Sequence, residues 1–273
     1  MIRLLAPKPS ASSSLRRLRW ADRKRRASQG PTRTQRAERD FARTLRDIGT
    51  HVGELIAGFE PGEISAVPTL QTLLERYAEA LTPWAERTVA RMLMEVDQRD
   101  REKWRALGTE ISLQLHRDIA EAPVGERMRE LLAEQVGLIK SIPIEAGERV
   151  HKLTLQGLED STRAKAFVEE IQRSGEVAES RAMLIARTEV ARTASVLTQV
   201  RAEAAGSTSY VWETSRDGTV RPGHRAMQGV VCRWDDPPAV EESDGTHHEH
   251  PGTIWNCRCW ARPIVELDTN HVR

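Results

Sequence analysis

The sequence predicts a mainly helical α+β protein, with a helical N-terminal and central region and a small C-terminal α+β module. From Ala37 to about Gly206, apolar residues recur at three- and four-residue steps, the period of helices that bury one face. After Gly206 the period changes, and aromatic and β-branched residues gather in short runs punctuated by Gly and Pro. Two Tyr and three Phe, against seven Trp, leave the interior of this 273-residue chain to Leu, Val, Ile and Ala, which favours helices.

Residues 1–36 read as a flexible basic arm. Eleven Lys or Arg stand there against one acid, Asp22, so an arm of about +10 is attached to a body of about −9 although the whole chain carries only +1. Pro7, Pro9, the Ser10 to Ser14 run, Gly30 and Pro31 disfavour one long helix. Arg16, Arg17, Arg19, Arg23, Lys24, Arg25 and Arg26 are the candidate nucleic-acid contacts, binding phosphates by counterion release without reading bases. The alternatives are a solvated tail, or a tail docked on the acidic body or on an acidic partner.

Residues 37–140 form the helical region. Phe41, Leu45, Ile48, Val52 and Leu55 lie on one face of a first helix, which Pro61, Gly62 and Pro68 break. A second helical stretch, about 69–107, carries Trp84, Met92 and Trp104 as large contacts and a kink at Pro83. Shorter segments follow at about 109–121 and 125–140. Ser141 with Pro143 opens another helix, which begins a third region, 141–273, with helices over 143–205 and a module over 207–266. The clearest helix runs from Glu176 to Ala205 with a stripe of Met183, Ala186, Val190, Ala194 and Leu197, and Gly206 ends it.

In the module, Ser209–Glu213 predicts a strand, Arg216–Thr219 a turn, Arg221–Gln228 a helical turn or short helix, and Gly229–Trp234 a second strand. A long polar loop is expected over Asp235–Gly252, before a return through Thr253–Trp260 to a last strand ending near Val265. No window approaches the roughly 18–20 apolar residues of a bilayer span, so no membrane partner is expected. The N-terminus lacks the apolar segment of a secretory signal, and three cysteines, an odd number, point to a reducing compartment.

The module gathers all three cysteines and four of the eight histidines. Zinc takes about four Cys, His or carboxylate ligands, and Cys232, Cys257, Cys259 and one of His224, His247, His248 or His250 would supply them. The one-residue spacing of Cys257 and Cys259 puts both on one strand face, whereas a metal knuckle usually needs a turn. The alternative is that the cysteines are small buried side chains and the histidines belong to a surface loop. Enzyme readings rest on the same residues. A metal-dependent nuclease would use the histidines with Asp235 and Asp236, and a cysteine nucleophile would pair with His224 or His250.

Ile185-Ala-Arg-Thr-Glu189, the Tyr210–His224 segment, Gly229, Pro251-Gly252 and Asn256-Cys-Arg-Cys259 resemble, in order and spacing, the Mu F-like head-morphogenesis proteins of tailed bacteriophages. The resemblance covers about Ser141 to Pro263. It implies a minor capsid protein of the virion, made in the host cytoplasm, in few copies at the portal vertex and capsid interior. It implies the portal protein and the major capsid or scaffold protein as partners and packaged double-stranded DNA as a further one; no catalysis is expected, because the candidate catalytic residues also suit a structural module. The rivals are a DNA-binding accessory protein and a metal-dependent hydrolase. Within the motif, Glu189 and Arg192 are three apart and can pair, while Arg187 faces another side. A structural latch is expected in which Glu189 bonds Arg221 or Arg258 of the module and Arg187 reaches toward it, the alternative being an exposed ion pair contributing little.

Overall fold

A computed structural model describes residues 31–265, apart from 33, 60–66, 108–116, 118–120, 160–163 and 244. Among the described residues six helices come first: α1 (Gln35–Ala57), α2 (Val67–Ala80), α3 (Thr82–Leu107), α4 (Val124–Glu159), α5 (Ala164–Gln172) and α6 (Ser174–Ala204). The module then adds β1 (Ser209–Glu213), a one-turn helix α7 (Pro222–Ala226), β2 (Val231–Arg233), β3 (Ala239–Glu242), β4 (Gly245–His248) and β5 (Trp260–Ile264). The mainly helical α+β class is therefore observed. The arm's candidate contacts, Arg16 to Arg26, and most of the segment expected over 109–121 lie outside the described residues.

α6 is the axis of the molecule. Its expected stripe is too narrow a description, because Ala182, Ile185, Ala186, Val190, Thr193 and Leu197 are all buried on a helix covered from several sides by α1, α3 and α4. α1 lies close against it with Phe41, Leu45, Ile48 and Val52 buried; Ile56 is buried where Leu55 was expected and Leu55 is half-buried. The two backbones nearly touch. A Cβ built on Gly175 would stand 2.6 Å from the Cα of Gly53, and one on Gly49 would stand 2.6 Å from the Cα of Glu179. Only glycine permits that approach.

Three prolines act differently from expectation. Pro68 and Pro83 each sit at the second residue of a helix, where the missing N–H is one of the groups a helix start leaves unpaired anyway. The chain consequently turns at buried Leu81 between two helices rather than kinking within one. Pro143 opens no helix, since α4 runs unbroken for 36 residues through it and through the division at residue 140. An interior proline costs about 3 kcal/mol. Ile139, Ile142, Ala146 and Val150, buried on both sides of Pro143, offset that, a buried Ile contributing about 1.5–3 kcal/mol.

α6 ends as expected. Gly206 takes φ +75°, its N–H bonds the carbonyl of Glu203 at 2.9 Å, and the Ser207 N–H bonds that of Ala202 at 2.9 Å, a Schellman closure. β1 is the middle strand of an antiparallel sheet, β2-β1-β5, with Tyr210 opposite Cys232 and Pro263. Pro263 is tolerated there because β5 is an edge strand. The stretch 235–252, expected as loop, contains the hairpin β3–β4, in which buried Val240 supplies the apolar anchor. The module's core includes Tyr210, Trp212, Trp234 and Ile254, and it is completed by Trp104 from α3 and Ala202 from α6.

A buried ionic network ties α3 to α6. Arg201 bonds Asp100 through Nη1 at 2.5 Å and Asp97 through Nη2, while the hydroxyls of Thr198 and Thr32 donate to Asp100 at 2.9 and 3.0 Å. Arg201 is 2% exposed and Asp100 fully buried.

Candidate functional site

A tight turn, residues 251–256, fastens the module to α6 by hydrogen bonds. Two left-handed residues shape it, Gly252 at φ +90° and Asn256 at φ +56°. A Cβ at Gly252 would meet the Cys259 carbonyl oxygen at 3.1 Å and the Ser195 Cβ at 3.2 Å, so the turn presses directly on α6. From α6, the Ser195 hydroxyl donates to the Pro251 carbonyl at 2.7 Å, Thr188 Oγ1 accepts from the Asn256 N–H at 3.1 Å, and Arg187 Nη1 donates to Asn256 Oδ1 at 3.0 Å. Arg187 also reaches Glu38 of α1 at 3.4 Å.

That is a latch, but not the expected one. Arg187 does reach the module, while Glu189 faces away from it. Glu189 is 2% exposed beside Gln135 of α4 and 3.7 Å from Arg192, and its Oε2 is buried without a hydrogen-bond partner. Burial raises its carboxyl above the usual range, and Arg192 and Gln135 only partly oppose that. Arg221 instead donates to the Trp255 carbonyl at 2.8 Å, and Arg258 to Asp217 Oδ1 at 3.0 Å and to Thr219 Oγ1. Position along α6 decides the difference, because residues 187, 188, 191 and 195 form the face toward the turn and 189 lies on another. The Thr219 hydroxyl and then Arg258 hold Asp217 well below the usual carboxylate range, fixing the 216–219 turn beside Arg258.

The five candidate ligands separate into one cluster and two outsiders. The ligand atoms of His224, Cys257 and Cys259 all lie within 4.8 Å of one another, with His224 Nδ1 3.4 Å from Cys257 Sγ and 3.5 Å from Cys259 Sγ. All three residues are buried. Cys232 is not among them, because its register in β2 places it opposite Tyr210, where burial pushes its thiol up to about 12. Nor is His250, whose Nδ1 is 2.9 Å from the Tyr210 hydroxyl and whose ring lies edge-on to Trp234, with burial lowering its pKa. His247 and His248 lie on β4.

Each member of the cluster is placed by a distinct device. The turn 251–256 swings the chain so that Cys257 Sγ accepts the N–H groups of Gly252 and Cys259, both at 3.4 Å. This turn supplies the bend that the one-residue spacing of the cysteines lacks. The Cys259 thiol holds Cys257 well below its ordinary range, against the effect of burial and with His224 assisting; the same contact and burial raise Cys259. The His224 ring stands edge-on to Trp212, centroids 5.4 Å apart. Its Nε2 faces Glu242 Oε1 at 3.6 Å, and both atoms are buried without a hydrogen-bond partner. Gly223 makes the approach possible, since any Cβ there would collide with the Glu241 carbonyl oxygen and stand 2.8 Å from Glu242 Oε1. A cavity of about 50 Å³ beside the cluster is lined by Thr219, Arg221, Asn256 and Arg258 together with its three members.

Sequence reasoning missed Glu242 altogether, the hairpin that carries it having been read as loop. It also missed Ser195 and Thr188 as docking groups, though Thr188 lies within the Ile185–Glu189 motif. Asp235 and Asp236, the carboxylates of the nuclease reading, are exposed, and Asp235 is paired with Arg233 at 2.5 Å.

Fold and site thus define a helical body into which a small, thiol-rich α+β docking module is locked through one central helix. Residues 148–262 match the family described as Phage Mu protein F like protein. A Haemophilus influenzae protein, described only as uncharacterized, is 31% identical over 150 residues, which cover 55% of this chain and 32% of the relative, so the match spans about a third of that relative's length. No solved structure matches. Among the described residues, no helix is long and apolar enough to cross a membrane.

Proposed function

We propose that this chain is a minor head component of a tailed phage, held at the portal vertex on the capsid interior, where it assists head assembly and DNA packaging or delivery. The observation that carries this reading is the family match over residues 148–262, which falls on the elements that form the docking module and its helix. The rigidity of the attachment supports a role in recognition. Six polar contacts, from Arg187, Thr188, Ser195, Arg221 and Arg258, pin the turns of the module to α6 and to each other. Such a surface has one shape to offer a partner. The portal protein and the major capsid or scaffold protein are the partners proposed.

The separation of charge supports a second contact, with packaged double-stranded DNA through the arm. The test is quantitative mass spectrometry of gradient-purified particles assembled with and without the portal protein. A few copies per particle that vanish without the portal are expected, and absence from both kinds of particle overturns the reading. Arm contact is checked separately: DNA binding by the full chain should fall with salt at a log–log slope of roughly −0.9 per phosphate neutralised, and removal of residues 1–30 should flatten it. An unchanged slope would restrict the role to protein contacts.

A further inference from the structure

We propose that His224, Cys257 and Cys259 form a zinc site, with Glu242 as the carboxylate that orients the histidine and a water from the adjoining cavity as fourth ligand. Zinc–sulfur and zinc–nitrogen bonds of about 2.3 and 2.0–2.1 Å at tetrahedral angles place sulfur and nitrogen ligands about 3.5 Å apart. The two Sγ–Nδ1 distances, 3.4 and 3.5 Å, already have that value. Two soft thiolates and an imidazole select a thiophilic divalent ion. On binding, thiol protons pass to solvent and both sulfurs coordinate as thiolates, while Cys257 keeps its two backbone N–H donors.

The unpartnered atoms point to the same ion. An ion on Nδ1 fixes the His224 proton on Nε2, where it faces Glu242 Oε1, so one bound ion accounts for both buried orphans through a small closure of the 3.6 Å gap. The cavity of about 50 Å³ has room for a water beside the ligands. A Cys257–His224 nucleophile pair is the rival arrangement. It leaves unexplained why a second thiol stands at the same distance from the same nitrogen, and why the group is buried. The site would join α7, the stretch before β5 and, through Glu242, the β3–β4 hairpin, three segments that a small core alone holds weakly. It stands independently of the head-assembly reading.

The test uses the full chain, stripped of metal by chelator and then titrated with Zn²⁺ or Co²⁺. One equivalent of zinc should bind, and cobalt should give thiolate charge-transfer and strong tetrahedral d–d bands. Zinc should protect two of the three thiols from alkylation in the unaltered protein, a readout that needs no variant. Cys257→Ser and Cys259→Ser should abolish stoichiometric binding, with far-ultraviolet circular dichroism confirming that they fold. Cys232→Ser and His250→Ala should retain one equivalent, and Glu242→Gln should weaken affinity about 10–100-fold at unchanged stoichiometry. Absence of stoichiometric metal in the unaltered chain overturns the proposal, as does its loss in Cys232→Ser or His250→Ala. Absence of metal together with rapid, selective alkylation of Cys257 at neutral pH would assign the nucleophile pair instead.

Discussion

Replacing Arg201 by Met tests how α3 and α6 are held together. The guanidinium is 2% exposed and is the cation bonded to both Asp100, which is fully buried, and Asp97. Methionine roughly fills the volume but leaves the Asp100 carboxylate, among the described residues, with the Thr32 and Thr198 hydroxyls as hydrogen-bond donors and with Lys103 as a nearby charge. Asp97 keeps Arg101 at 2.8 Å, so most of the loss falls on Asp100. Breaking a buried pair from one side costs about 3–5 kcal/mol. For a body of this size each kcal/mol moves Tm by about 2–4 °C, so Arg201→Met should melt about 6–20 °C lower by differential scanning calorimetry. Arg201→Met with Asp100→Leu should recover much of that, because no uncompensated charge then stays buried. A single variant within about 1 kcal/mol of the unaltered protein, or a double variant no better than the single, would refute the reasoning.

The helix crossing gives a prediction of opposite signs. Gly175→Ala should destabilise by about 1–3 kcal/mol, because its Cβ meets Gly53 at 2.6 Å, whereas Gly137→Ala in α4, with nothing within 4 Å, should gain about 0.5–1 kcal/mol from helix propensity. Urea denaturation of the two variants decides it, and equal signs would sink the close-crossing argument. Glu189 predicts a pH dependence. Its folded pKa is raised by burial, so its contribution is present at low pH and is lost as pH rises through that folded value. Glu189→Gln removes this loss, so its Tm advantage over the unaltered chain should grow from about pH 4 to about pH 7, and parallel profiles would contradict it. Thr188→Val deprives the Asn256 N–H of its acceptor at a cost of about 1–3 kcal/mol. Limited proteolysis should then cut the 251–256 turn faster than in the unaltered protein, and an unchanged cutting rate would count against the latch.

The parts of the fold that were legible in sequence are those set by local chemistry. Ser209–Glu213 has the residues of a central strand, Gly206 the freedom of a helix stop, and Phe41 to Val52 the spacing of one buried face. The β3–β4 hairpin was not legible, because Glu241, Glu242, His247 and His248 hide its alternation and Val240 alone is buried. Pro143 misled for a different reason: its local cost is outweighed by apolar burial contributed by distant helices. At the site, the ligand types were legible but not the grouping. Cys232 is excluded by strand register and Glu242 is included by a glycine, and neither fact has a local signal. The same limit explains Glu189, whose surroundings are set by α4.

The close crossing of α1 and α6 bears on what the family-matching segment would need in order to stand in another chain. The stretch that matches the family starts inside α4, at residue 148, and leaves out α1 entirely. Yet α6 within that stretch meets Gly49 and Gly53 backbone to backbone, and its apolar side is sealed by Phe41, Leu45, Ile48 and Val52. A recombination event that carried only residues 148–262 into another gene would therefore deliver a helix with one side bare. Its new host would have to bring a shield of its own, with small residues at the crossing point, before the borrowed module stood on anything firm.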